Sequence, residues 1–306
     1  MATMSKPTPE PGISHVYNAD ARLLDGELQR PVGRKIDGGV FSKLGGMKDR
    51  HIYKERPERY DLDGLISFER GYTRVSGSHP RKRSWVSIAT CVLEDLNILD
   101  VITADRVVAQ ASTEHSPFDG HVPSVTFVGS GFENLRINGY PVQPELELGI
   151  CGDKPEGDAY YFDDPDFLDG IERQTKEFAK ALAPPDSHRL EYDKDFQSEY
   201  TKDLQSIRNA REYAGAYDKN YKKTTLKCSI VKSIPAIPVA TSFGNVLHIP
   251  GFGVVTFGKL EIEQEWTKEG KVGTYFDLTM LEVKMGSIAQ GSVQVANVGV
   301  NGLHKP

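Results

Sequence analysis

The chain has 306 residues, of which 38% are apolar and 26% charged, with three cysteines; this is a globular composition, neither that of a disordered chain nor that of a disulfide scaffold. No run approaches the ~20 apolar residues that cross a bilayer as a helix. The net charge of −6 argues against the broad basic footprint of a nucleic-acid binder, so no nucleic-acid partner is expected. The charge is unevenly placed: residues 1–83 carry 16 basic against 11 acidic side chains, 84–150 carry 2 against 9, 151–225 carry 12 against 17, and 226–306 carry 7 against 6. A basic leading segment ahead of an acidic body favours association, within the chain or between copies.

Residues 1–60 hold Pro7, Pro9, Pro11, Pro31 and Pro57 and the glycine pairs Gly38-Gly39 and Gly45-Gly46, with sparse apolar residues and no sustained period. Such a stretch reads as an extended N-terminal arm, disordered or pinned across a surface. Met1 to Pro11 has no apolar h-region, so a cleaved secretory signal is not expected, and residence is cytoplasmic or follows export by a route without one.

Alternation begins at Leu65 and continues to Val75, with a break at Gly71. Trp85 to Leu93 carries apolar or small groups on both faces and reads as an inner strand. Val101 to Thr113, Val122 to Val128 and Leu135 to Ile137 follow, and Asn138-Gly139 turns the chain into Tyr140 to Leu148, since a type I′ turn needs two residues with positive φ.

The block 153–223 changes period. Asp164 as N-cap with Pro165 behind it opens a helix whose stripe is Phe167, Ile171, Phe178 and Leu182, and Pro184-Pro185 stops it. A second helix is expected from Asp195 to Tyr217, with Phe196, Tyr200, Leu204, Ile207 and Ala214 on one face. Strands then return at Leu226 to Ile234, Val246 to Ile249, Val254 to Phe257, Lys259 to Trp266, Tyr275 to Lys284 and Ser292 to Val300. The expected fold is mainly β: a β-sandwich or flattened barrel spanning 61–306 as one domain, with a two-helix insertion at 153–223 and the arm at 1–60.

Chemistry is thinly marked. His115, Asp119 and His121 lie close together on a loop between strands and form a candidate ligand site at the mouth of a pocket in the β body. Asp163, Asp164, Asp166 and Asp169 form an acidic run with the oxygen donors that calcium takes, although helix capping also explains two of them. Tyr200, Tyr213 and Tyr217 cluster on the second helix and suit an interface or a half-buried helix. Cys91, Cys151 and Cys228 are widely spaced and read as buried thiols. No GxSxG, HExxH or Walker motif is present, so an enzyme is the less favoured reading and no cofactor is expected, calcium being the alternative.

The run Gly244 to Gly253, the stretch Leu278 to Val283 and the closing Asn301-Gly302 resemble uncharacterised bacterial β-rich proteins. Val107 to Gly139, with its Leu135-Arg136-Ile137-Asn138-Gly139 turn, resembles secreted bacterial β domains labelled only by their choice of anchor. The resemblance implies a β-rich fold and bacterial origin, and it carries no active site. The function expected is a non-enzymatic structural, assembly or binding protein that forms homo-oligomers through the arm and the tyrosine-rich helix. The alternative is an enzyme or small-ligand carrier using the pocket near His115 and His121.

Overall fold

The computed structural model describes residues 14–31, 33–79, 84–116, 122–157, 159–182, 191–213, 223–266, 272–286 and 289–305. In chain order the strands begin with β1 (Ser14–Arg30), β2 (Arg34–Asp37), β3 (Phe41–Gly46), β4 (Arg50–Arg56), β5 (Tyr60–Leu62), β6 (Ile66–Phe68), β7 (Arg70–Ser78), β8 (Trp85–Ile98) and β9 (Ile102–His115). The short β10 (Ser124–Thr126), β11 (Gly131–Glu133), β12 (Arg136–Ile137), β13 (Tyr140–Pro141) and β14 (Glu145–Leu146) lead to helices α1 (Pro165–Ala181) and α2 (Glu191–Tyr213). After them come β15 (Lys223–Ser229), β16 (Val231–Ser233), β17 (Thr241–Phe243), β18 (Val246–Ile249), β19 (Gly253–Trp266), β20 (Val272–Gly286) and β21 (Gln290–Lys305).

Two large antiparallel sheets result, and the protein is mainly β with a sandwich-like arrangement and a helical insertion. The first sheet runs β17-β18-β19-β20-β21-β1-β2, with β15 also on β19 and β3 also on β1. The second runs β13-β12-β9-β8-β6-β5, with β7 joining β4 to β8 and with β10 and β11 on β9. A single buried cluster joins Ala19, Ala21 and Leu23 of β1 and Val298 and Val300 of β21 with Ala89, Cys91 and Leu93 of β8 and Val107, Ala109 and Ala111 of β9. Each large apolar side chain buried here contributes about 1.5–3 kcal/mol. Two glycines of β7 make room for β1: a Cβ at Gly77 would lie 2.5 Å from Tyr17 Cγ, and one at Gly71 would lie 2.6 Å from Leu23 Cδ1.

The N-terminal segment is extended, as expected of an arm, but it is not peripheral. Strand β1 is bonded along most of its length to β21 on one side and to β3 and β2 on the other. Its alternation is real but muted. Tyr17, Ala19, Ala21 and Leu23 point inward and Asn18, Asp20 and Arg22 outward, so two of four core positions are alanines, poor strand formers. Strands β3 and β4 then carry the chain from the first sheet into the second. Residues 1–13 lie outside the described residues.

Elsewhere most local signals hold, although Tyr140 to Leu148 carries only the short β13 and β14, and Leu226 to Ile234 is broken at Ile230 between β15 and β16. The backbone turns at Asn138 (φ 49°) and Gly139 (φ 79°), joining β12 to β13. The two strands expected on either side of Gly258 are one strand, β19, because Gly258 adopts φ +58° within the ladder. A side chain there would press within 2.8 Å of Ile230 Cγ1 and Val231 Cγ2. The side chain of Asp164 caps α1, accepting from the amides of Asp166 (2.9 Å) and Phe167 (3.4 Å). Buried Gln174 of α1 docks the helix on β15: its Nε2 donates to the Ser229 carbonyl (2.9 Å) and its Oε1 accepts from the Ser229 amide (2.8 Å). Helix α2 begins four residues earlier than expected and is tied to α1 by Arg211, which bonds Asp169 and Glu172. Among the described residues, no helix is long and apolar enough to cross a membrane.

Candidate functional site

The residues singled out by sequence do not converge. His115 ends β9 in the interior, 1% exposed, with its ring 5.6 Å from His15 and 6.1 Å from Trp85. It packs within the end of the sandwich instead of lining a loop, because β9 extends two residues beyond the expected Thr113 and draws it inside. Asp119 and His121 lie outside the described residues. In the acidic run, Asp164 is engaged as a cap and Asp169 bonds Arg211. Among the described residues no group of three or more His, Cys, Asp or Glu is placed to hold a metal ion. Tyr200 is 8% exposed and packs against Phe178 and Phe196, so it serves helix packing and not an open surface. The side chain of Tyr213 and the whole of Tyr217 lie outside the described residues. Cys91, Cys151 and Cys228 are buried and free, and burial pushes all three thiols up.

A different set of polar groups is brought together on the outer face of the first sheet. Register aligns Lys43 of β3, Asp20 of β1, Gly299 of β21, Asp277 of β20, Glu261 of β19 and Lys227 of β15 in one row. The adjacent row is Phe41, Arg22, Asn297, Thr279, Lys259 and Ser229. Each belongs to a strand whose alternate residues face the core, so β periodicity alone sends these side chains to the opposite face.

Gly299 is what lets the row connect. Tyr275 lies across it and donates its phenol hydrogen to Asp20 Oδ2 at 2.9 Å. A Cβ at Gly299 would sit 1.7 Å from Tyr275 Oη and 3.0 Å from Asp20 Oδ1. On the other side of the glycine, Asn297 Nδ2 donates to Asp277 Oδ1 (2.7 Å) and to Thr279 Oγ1 (3.0 Å). Burial pushes the Asp277 carboxyl up to about 6; the Asn297 hydrogen bond opposes this, while the carboxylates of Asp20, Glu261 and Glu263 add to it. Asp20 is also raised by burial, against the pull of Tyr275, Lys43 and Arg22. Burial and the neighbouring Asp20 and Asp277 raise the Tyr275 phenol above its ordinary range, so it is a donor here.

These groups line a trough of about 450 Å³, with Phe41 at its rim and the Arg22 guanidinium 4.8 Å from the centre of that ring. Asp25 and Gln294 connect it to a second concavity of about 640 Å³ towards Lys35 on β2. At the other end the sheet passes under α2. There Lys259 bonds both Glu282 (2.9 Å) and Glu261 (3.0 Å), and Lys227 bonds Glu199 of α2 at 3.0 Å. Burial works to raise the Glu282 carboxyl, but Lys259 and Lys284 outweigh it and hold the group below its ordinary value. Carboxylates, amides, a phenol and a guanidinium side by side can accept and donate hydrogen bonds over one continuous surface.

Sequence reading missed this site because its members are scattered from Asp20 to Asn297 and none sits in a motif. The one local signal was Gly299 inside an otherwise β-branched strand, where glycine marks a close approach. No curated protein and no solved structure matches the chain significantly. A family model covers residues 15–263, from the start of β1 into β19, and the chain belongs to that family, described as a domain of unknown function (DUF8256).

Proposed function

We propose that the protein is a non-enzymatic binding protein whose outer sheet face takes a polyhydroxylated ligand of the carbohydrate class. The observation that carries the reading is Tyr275 laid across Gly299 between the half-buried carboxylates of Asp20 and Asp277. Carboxylates and carboxamides are bidentate partners for neighbouring hydroxyls, which both donate and accept. The mixed signs of Asp20, Arg22, Lys43 and Asp277 disfavour a polyanion, and the Phe41 ring at the rim offers an apolar face. The groups are already fixed by hydrogen bonds to one another, which lowers the cost of ordering them on binding.

Saturation-transfer NMR with neutral hexoses and their oligomers at millimolar concentration tests this. Signal is expected for the wild type and is lost in Asn297→Ala and Asp20→Asn. Absence of transfer from every sugar, or transfer unchanged in both variants, refutes it.

Self-association is a second proposal, supported by three of the exposed large apolar side chains. Phe41, Met47 and Tyr53 lie on β3, β4 and the turn between them, beside the basic Arg50, Lys54 and Arg56. This edge would dock on acidic side chains of another copy, which residues 84–150 carry in excess. Light scattering should give a mass above 33.9 kDa that falls on Tyr53→Glu. A monomer at all concentrations ends the idea.

A further inference from the structure

A third, half-open space lies between the helix pair and strands β15, β18, β19 and β20. Its volume is about 60 Å³, enough for a few water molecules or the head of a small solute. One wall is aromatic, with Phe178 of α1 and Phe196 of α2 centred 6.3 and 6.4 Å from the Tyr200 ring. The other wall is charged. Lys227 bonds Glu199, Lys259 bonds Glu261 and Glu282, and Lys284 lies 3.4 Å from Glu282. Glu261 lies outside, in the trough, so the space is lined by three lysines and by three carboxylates: Glu199, Glu282 and, on α2, Asp203. Among the described residues no cation lies within ion-pair distance of it.

Tyr200 supplies an independent observation. It is 8% exposed and lines the cavity, and its Oη is buried with no hydrogen-bond partner among the described residues. A buried hydroxyl left so costs about 1–3 kcal/mol, a cost that a bound donor removes. A carboxylate without an ion pair, a hydroxyl able to accept, and ring faces on the third side together describe a receptor for an organic cation. An anion would lie against the Asp203 carboxylate. A divalent metal finds no converging group of three ligands among the described residues.

We propose that this cavity binds the head of a small primary ammonium. Asp203 supplies the counter-charge, Tyr200 Oη accepts one N–H, and the rings of Phe178 and Phe196 close the apolar side. The site is separate from the trough and does not depend on the sugar reading. Burial pushes the Asp203 carboxyl up to about 6, outweighing the pull of Lys227 and Lys259, neither of which forms an ion pair with it.

The test titrates the full chain with methylammonium chloride by calorimetry and by thermal melting, with sodium chloride at equal ionic strength as the control. A saturable heat and a rise in melting temperature specific to methylammonium are expected. Asp203→Asn should weaken binding by about tenfold or more, and Tyr200→Phe, which keeps the ring, by several-fold. Asn297→Ala in the trough should leave the titration unchanged, which separates this site from the sugar face. Three results overturn the proposal: equal responses to sodium and methylammonium, binding retained in Asp203→Asn, or Tyr200→Phe binding as well as wild type. Should Asp203→Asn fail to give a native circular-dichroism spectrum, Tyr200→Phe alone decides.

Discussion

Replacing Gly299 by alanine tests the construction of the trough at one atom. The new Cβ would lie 1.7 Å from Tyr275 Oη and 2.5 Å from its Cζ, so the ring must leave, while no positive φ strains the backbone at this position. Leaving breaks the hydrogen bond to Asp20, worth about 1.5–3 kcal/mol because the acceptor is charged. Alanine recovers about 0.5–1 kcal/mol of chain entropy relative to glycine in a strand. The net expectation is a destabilisation of about 1–2 kcal/mol, read from the midpoint of urea unfolding with m unchanged. The decisive measurement is the double-mutant cycle with Tyr275→Phe. That variant has already lost the bond to Asp20, so Gly299→Ala should cost less in its background by about 1.5–3 kcal/mol. If the two substitutions add within about 0.5 kcal/mol, the reasoning fails, since additivity is the signature of residues that do not interact.

Asp277→Asn tests the pH reading. With its folded pKa near 6 and an ordinary one when unfolded, Asp277 holds a proton in the fold that the unfolded chain releases, so its contribution to stability falls as pH rises from about 4 to 6 and is constant above. The amide keeps an acceptor for Asn297, so urea melts should show the variant more stable by about 1–3 kcal/mol at neutral pH, with the gain vanishing towards pH 4. A variant less stable at neutral pH would contradict this. Gln174→Ala strands both backbone groups of Ser229 beneath α1 and should cost about 2–4 kcal/mol by chemical unfolding, with a cost under 1 kcal/mol counting against the docking role. Asp164→Ala removes the cap of α1 and should cost about 1 kcal/mol, whereas Asp164→Asn should retain most of it.

Much of the fold is legible in the sequence because its signals are local. The Asp164-Pro165 cap, the Asn138-Gly139 turn and the β-branched alternation of β8, β9, β20 and β21 each act through a few neighbouring residues, and each appears where the pattern puts it. Strand β1 shows where that ends: Asn-Ala-Asp-Ala-Arg has little intrinsic strand preference, and the segment is held by ladders on both sides, one of them to residues 290–305 at the far end of the chain. The candidate site lies wholly on that side of the line. Asp20, Tyr275, Asp277 and Asn297 meet because three strands pair in one register, and Gly299 lets a phenol cross between them. The sequence by itself determined the elements and their faces, since side-chain period and capping are short-range. Only the tertiary structure decided which outward-facing side chains become neighbours, because register between strands more than 250 residues apart is set by the packing of the whole sheet, not by any stretch within it.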